Sequence, residues 1–177
     1  MSSINRATYI DSGLFWDISE NRTVTYSFVD LPNFDPQGYN SQSGLITAKE
    51  NIVSAVDQIF QVLGQILNVN FQKLANNSQS GDIAFSLTTS TFAEGGIAVK
   101  QYEDTTGEIV KSGIWLSQLQ YFSDGQIRPG TELHQLLLHE IGHVLGLEHG
   151  SEYPQGGETK SPDLQIFLQG RIRSNTR

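Results

Sequence analysis

Eleven residues near the end of the chain constrain its fold more than any other stretch. They run from His139 to His149 and read HEIGHVLGLEH, so three of the four histidines in the 177-residue sequence lie together. Residues four apart share one face of an α-helix, which lets His139 and His143 point at one ion. His149 would lie about 240° further round a continuing helix, so the helix must end before a third imidazole can join the pair.

Gly146 is placed to end that helix. Glycine readily adopts the left-handed conformation that closes a helix, because it has no Cβ atom to clash with the backbone. The stretch therefore predicts His139 and His143 as metal ligands on a helix, with His149 as a third ligand beyond the turn. Three histidines and one open position are typical of a catalytic zinc site, so we expect Zn2+ as the cofactor.

Glu140 directly follows the first of these ligands, about 100° round the helix. Its carboxylate can reach the open side of the ion, where hydrolysis needs a base that takes a proton from water and passes it to the leaving amine. We therefore predict Glu140 as the catalytic general base and then general acid.

Other residues near the motif offer alternatives. His134 lies about 140° round the helix from His139, and we predict that it lies at the surface or beside the ligands without binding the metal. Three glutamates follow the helix and are alternative third ligands: Glu148, Glu152 and Glu158. The glycine helix stop favours His149 over all three.

Composition narrows the class of partner. The net charge is −8 and no cluster of basic residues is present, which argues against nucleic acid or an anionic membrane as the main partner. The absence of cysteine excludes disulfides, thiolate metal sites and a cysteine nucleophile. The sequence contains no apolar run of membrane-spanning length and no signal-peptide pattern at its start, which leaves the cellular location open.

Hydrophobic patterns predict five strands and two helices. The strands are expected at Thr23–Val29, Val69–Leu74, Asp82–Thr88, Gly95–Tyr102 and Ile109–Leu116. A capping box from Thr47 to Glu50 predicts the start of a long amphipathic helix that ends near Leu67. Thr131 is the predicted N-cap of the helix that carries the motif.

The order of these elements predicts an α+β fold, with a mixed sheet and helices packed on one side. Three stretches are predicted to be loops or turns: 31–44, 104–107 and 118–130. The apolar face of Ile52–Leu67 most simply packs on the sheet, and a partner-binding surface is the alternative. We expect one domain, 1–177, in which 23–149 hold the sheet and both helices and 150–177 form a short C-terminal subdomain or tail.

The motif resembles the extended zinc signature of the metzincin metallopeptidases, most like the serralysin and matrixin branches. The similarity extends more weakly over Thr23 to His149. It implies a zincin-like fold, in which a twisted, mixed five-stranded sheet carries a long helix and a zinc-binding helix. It also implies a zinc endopeptidase that binds extended substrate along an edge strand, which places Gly96, Ile97 and Ala98 beside the substrate backbone.

The resemblance has one gap. Metzincins carry a methionine turn below the zinc, after the third histidine, whereas the only methionine in this sequence is Met1. We therefore expect a shortened C-terminal subdomain. Two functions stay open, an active zinc endopeptidase and a zinc-binding but catalytically impaired relative. The resemblance also favours secretion by a route independent of a signal peptide.

Overall fold

The computed structural model describes residues 12–18, 23–29, 50–75, 80–88, 95–117 and 127–149. Within these residues the chain forms five strands and two helices, and the predicted strands are confirmed with ends shifted by at most one residue. The strands are β1 (Thr23–Phe28), β2 (Asn70–Lys73), β3 (Ile83–Thr88), β4 (Gly96–Tyr102) and β5 (Ile109–Ser117). The helices are α1 (Glu50–Leu67) and α2 (Glu132–Val144).

The strands form one mixed sheet in the order β2-β1-β3-β5-β4. Four strands are parallel, and β4 alone runs antiparallel, paired with β5 at one edge. A hairpin turn joins β4 to β5, as predicted, and the amide of Gly107 donates to the carbonyl of Glu103 at 2.8 Å. The outer side of β4 pairs with no other strand among the described residues.

Both helices pack on the sheet through a single hydrophobic cluster. The buried residues of α1 in that cluster are Ile52, Ala55, Val56, Ile59, Phe60, Leu63 and Leu67. The sheet contributes alternate residues of β3, and α2 contributes one apolar side that begins at Leu133 and ends at Val144. This burial confirms that the apolar face of α1 packs in the core, so the face is not available to a partner. The α+β, zincin-like prediction is confirmed.

Two residues, Thr131 and Gly146, account for where α2 begins and where it ends. Thr131 has extended backbone angles and its hydroxyl accepts from the amide of His134, which confirms it as the N-cap. At the other end Gly146 has a φ of 97°, the left-handed conformation that favours glycine. The helix therefore ends at Val144, and the chain turns before it reaches His149.

Residues 12–18, which we call the N-terminal strap, brace the end of α2. The indole nitrogen of Trp16 donates to the carbonyl of Val144 at 2.8 Å, and the hydroxyl of Ser12 donates to the carbonyl of Gly146 at 2.7 Å. Phe15 pairs with the hairpin between β4 and β5. The strap thus satisfies carbonyl groups that a helix end leaves without partners. No sequence pattern predicted it.

Some predictions fall outside the described residues. These are the loop at 31–44, the first residues of the capping box from Thr47, most of the loop at 118–130, and the C-terminal subdomain at 150–177 with its two glutamates. Neither described helix is both long and apolar enough to cross a membrane.

Candidate metal centre

Three histidine side chains converge on one point beside α2. The Nε2 atom of His143 lies 3.1 Å from that of His139 and 3.1 Å from that of His149, and the remaining pair is 3.0 Å apart. The ring of His143 stands at 89° and 86° to the other two rings. Within the described ranges, this is the one group of three or more potential metal-binding side chains close enough to share an ion.

The arrangement fits a tetrahedral metal ion. Zinc lies about 2.0–2.1 Å from each histidine nitrogen, which places the nitrogens of a regular tetrahedron roughly 3.3 Å apart. The observed separations of 3.0–3.1 Å are a few tenths of an ångström shorter. A shared cation is the partner that satisfies three lone pairs directed at one point.

The neighbourhood of His143 prepares it to bind metal. Its Nδ1 lies 3.0 Å from the carbonyl oxygen of Leu147. Because a carbonyl only accepts, Nδ1 carries the hydrogen and Nε2 presents its lone pair to the other histidines. Burial lowers the pKa of His143, against the opposing effect of the Leu147 carbonyl and with a smaller contribution from the neighbouring histidines. The lowered pKa favours the neutral form of His143, and the contact with Leu147 selects the tautomer whose Nε2 can coordinate metal.

Glu148 is directed elsewhere. Its Oε1 lies 2.5 Å from Nζ of Lys100 on β4. The structure therefore places His149, and not this glutamate, with the two helical histidines. The alternative ligands Glu152 and Glu158 lie outside the described residues.

Glu140 lies on α2 between the ligands and the edge strand. Its side chain is 2% exposed although its neighbour His139 is exposed. A Cβ atom added at Gly96 would lie 3.1 Å from Oε1 of Glu140 and 3.2 Å from its Cγ. The glycine at the start of β4 thus leaves the space that the carboxylate occupies.

The residues predicted to bind substrate lie along β4. Gly96 is buried against Glu140, whereas Ile97 and Ala98 are half-buried. Since β4 is an edge strand, its free side offers backbone groups to an extended chain. The start of the edge strand and the predicted general base are therefore neighbours.

Two further features lie near the centre. His134 is half-buried outside the three-histidine group, and burial lowers its pKa. Lys100, which sequence reasoning missed, has a side chain only 10% exposed. No sequence signal marked Lys100, because no spacing rule relates positions 100 and 148.

Comparison with known proteins gives the family. A search of curated proteins finds no match. The family model described as matrixin, peptidase M10, matches residues 19–155, which include all five strands, both helices and the three histidines. That match covers well over half of the sequence. The chain therefore belongs to the matrixin family of metzincin metallopeptidases.

Proposed function

We propose that the protein is a zinc-dependent endopeptidase in which His139, His143 and His149 hold Zn2+ and Glu140 is the general base. The observation that carries the proposal is the convergence of three Nε2 atoms within 3.0–3.1 Å, beside a glutamate that is 2% exposed. Membership of the matrixin family supports metallopeptidase activity in general.

The chemistry divides between the ion and the protein. When bound, zinc lowers the pKa of a water molecule and polarises the carbonyl group of the peptide. Glu140 takes a proton from the attacking water at its carboxylate and returns it to the departing amine nitrogen. The burial of this side chain excludes bulk water from that proton transfer.

The edge strand supports a peptide as the substrate. An extended chain can add to β4 through backbone hydrogen bonds, with Gly96, Ile97 and Ala98 beside it. Because Gly96 touches Glu140, a peptide paired there would bring a backbone carbonyl close to the base. Side-chain selectivity would then come from the residues that flank the strand.

A zinc-binding protein with impaired catalysis is the second candidate. The sequence observation that favours it is that no methionine follows His149, whereas a methionine turn is typical of metzincins. Both candidates predict zinc binding, and they differ in turnover.

One experiment separates the two candidates. Zinc content and cleavage of a generic unfolded protein are measured for the wild type, for Glu140→Gln and for a chelator-treated sample. We expect stoichiometric zinc in the wild type and in Glu140→Gln, with cleavage in the wild type alone. Glu50→Gln, an exposed carboxylate on α1, is the control and should retain both properties.

Two outcomes contradict the proposal. Zinc binding with equal residual cleavage in all samples favours the impaired candidate. A wild type that binds no stoichiometric zinc removes both candidates.

A further inference from the structure

Lys100 joins the edge strand to the turn that carries the third histidine. It lies on β4, its side chain is 10% exposed, and its Nζ is 2.5 Å from Oε1 of Glu148. A lysine side chain with so little exposure is costly in free energy unless its charge is paired. Its partner, 48 residues away in the sequence, directly precedes His149.

Residues 146–149, which we call the ligand arm, have left the helix and need other anchors. The amide of Leu147 donates to the carbonyl of Gly142 at 3.0 Å, and the carbonyl of Leu147 accepts from His143. Those contacts anchor the ligand arm at Leu147, which is two residues before His149. The Lys100 pair acts one residue further along, next to the ligand itself.

The Lys100–Glu148 pair also holds a carboxylate that could compete with His149 for the ion. Zinc also accepts carboxylate ligands, and the Glu148 carboxylate adjoins His149 in the sequence. Held against Lys100, this carboxylate points at the edge strand. Released, it becomes free to turn towards the ion in place of the imidazole.

A second ion pair gives a comparison within the same protein. Lys73 contacts Asp57 near the opposite edge of the sheet, but these side chains are 38% and 36% exposed. Exposed pairs contribute little because water and salt screen them. Lys100 is far less exposed than Lys73, and its partner adjoins a predicted ligand.

We propose that Lys100 is a positioning residue of the metal centre, which holds Glu148 so that His149 completes the ligand set. This inference rests on the proposed zinc site. Residues that orient metal ligands typically change metal affinity about 10–100-fold when they are removed. Lys100 is therefore assigned a role in affinity for the ion rather than in the folding of the sheet.

The test measures the zinc dissociation constant by competition with a chromophoric chelator. We expect Lys100→Met to weaken zinc binding about tenfold or more, Lys100→Arg to restore most of the affinity, and Lys73→Met to leave it unchanged. The thermal midpoint of each metal-free variant is measured alongside. A purely structural lysine would lower that midpoint in parallel, whereas a positioning lysine changes affinity with little change in the metal-free midpoint.

A double-mutant cycle sharpens the test. In the wild-type background His149→Ala should cost a large factor in zinc affinity, and in the Lys100→Met background it should cost a smaller factor, because His149 is then already misplaced. If Lys100→Met does not fold, Glu148→Gln takes its place. Glu148 is 47% exposed, so this variant is expected to fold. It lacks both the ion pair and the competing carboxylate, so its loss of zinc affinity measures the anchoring of the ligand arm alone.

The results distinguish a failure of the role of Lys100 from a failure of the proposed zinc site. A wild type that binds zinc, with Lys100→Met or its substitute Glu148→Gln binding as tightly, overturns the role of Lys100 and leaves the zinc site standing. Additive effects in the cycle overturn it as well. A wild type without stoichiometric zinc overturns the site and this inference together.

Discussion

Gly96 leaves the space in which the Glu140 side chain lies. The carboxylate is almost fully buried, and the nearest part of the edge strand is a residue without a side chain. A general base must lie within hydrogen-bond reach of the proton that it takes, so the space left by Gly96 bears directly on the position of the base.

Gly96→Ala tests this packing. The new Cβ atom would lie 3.1 Å from Oε1 of Glu140, tighter than an ordinary van der Waals contact, so the carboxylate must move by a few tenths of an ångström. Small displacements at a reacting group are costly, and we expect kcat to fall about tenfold while zinc affinity stays unchanged. Peptide-cleavage kinetics and zinc titration are the measurements.

The exposed residue Gln101, on the same strand, provides the control for that substitution. Gln101→Ala should retain the wild-type kcat. Wild-type turnover in Gly96→Ala would show that the carboxylate adapts to the extra methyl group, and the positional role of the glycine would be rejected.

The sequence predicted that three histidines converge because the geometry that relates them is local. Helix periodicity relates His139 to His143, and the conformational preference of Gly146 places His149 beyond the turn. Gly96 was predicted to contact substrate, but its contact with Glu140 depends on which strand lies beside α2. That order is a property of the folded sheet, so no local pattern revealed it.

Among the elements, the N-terminal strap braces the C-terminal end of α2. A helix end leaves carbonyl groups without partners, and the strap supplies donors from Trp16 and Ser12 to two carbonyls in the closing turn. Trp16 is also part of the hydrophobic core, so one side chain joins the packing of the sheet to the capping of the helix.

Trp16→Phe separates these two contributions. Phenylalanine retains an apolar ring but has no N–H group, which leaves the buried carbonyl of Val144 without this donor. We expect unfolding free energy to fall by about 1–3 kcal/mol from the lost hydrogen bond, with a further loss from the smaller ring. Urea unfolding of the metal-free protein measures the change.

Val62→Ala is a suitable comparison, since Val62 on α1 is 56% exposed and should change stability little. Equal urea midpoints for Trp16→Phe and the wild type would contradict the role of the indole donor.

Secondary structure was largely predictable because each strand and helix has its own repeating pattern of apolar residues. The strap has no such pattern, and three of its residues, Ser12, Phe15 and Trp16, form hydrogen bonds with distant parts of the chain. The order of the strands was not predictable either. β3 lies between β1 and β5 in the folded sheet, and this order depends on contacts between distant segments of the chain.

At the scale of the whole molecule, two partly buried histidines make the free energy of unfolding depend on pH. Burial lowers the pKa values of His143 and His134 from their ordinary value of 6.5. The unfolded chain therefore binds protons at these positions that the folded protein does not bind. Since stability rises with pH wherever the unfolded state holds more protons, acid should destabilise the metal-free fold.

We expect the stability of the metal-free protein to be fully present above pH 6.5 and to fall as the pH drops through 6.5 towards the lower pKa values of the folded state. Urea midpoints measured from pH 7.5 to pH 5.5, about one unit on either side of the ordinary histidine value, test this. His134→Gln should make the dependence shallower. A midpoint independent of pH in this range would contradict the expected direction.

The strap and the edge strand both contact residues that lie much later in the chain. Ser12 and Gly146 are 134 residues apart, and Lys100 precedes Glu148 by 48 residues. Synthesis on the ribosome proceeds from the N-terminus, so the strap and the edge strand emerge well before the turn that they hold. α2 is the last of the described elements to be made, and a nascent chain that lacks it has no assembled metal centre. The proposed function therefore makes zinc capture a late event in the biogenesis of this protein.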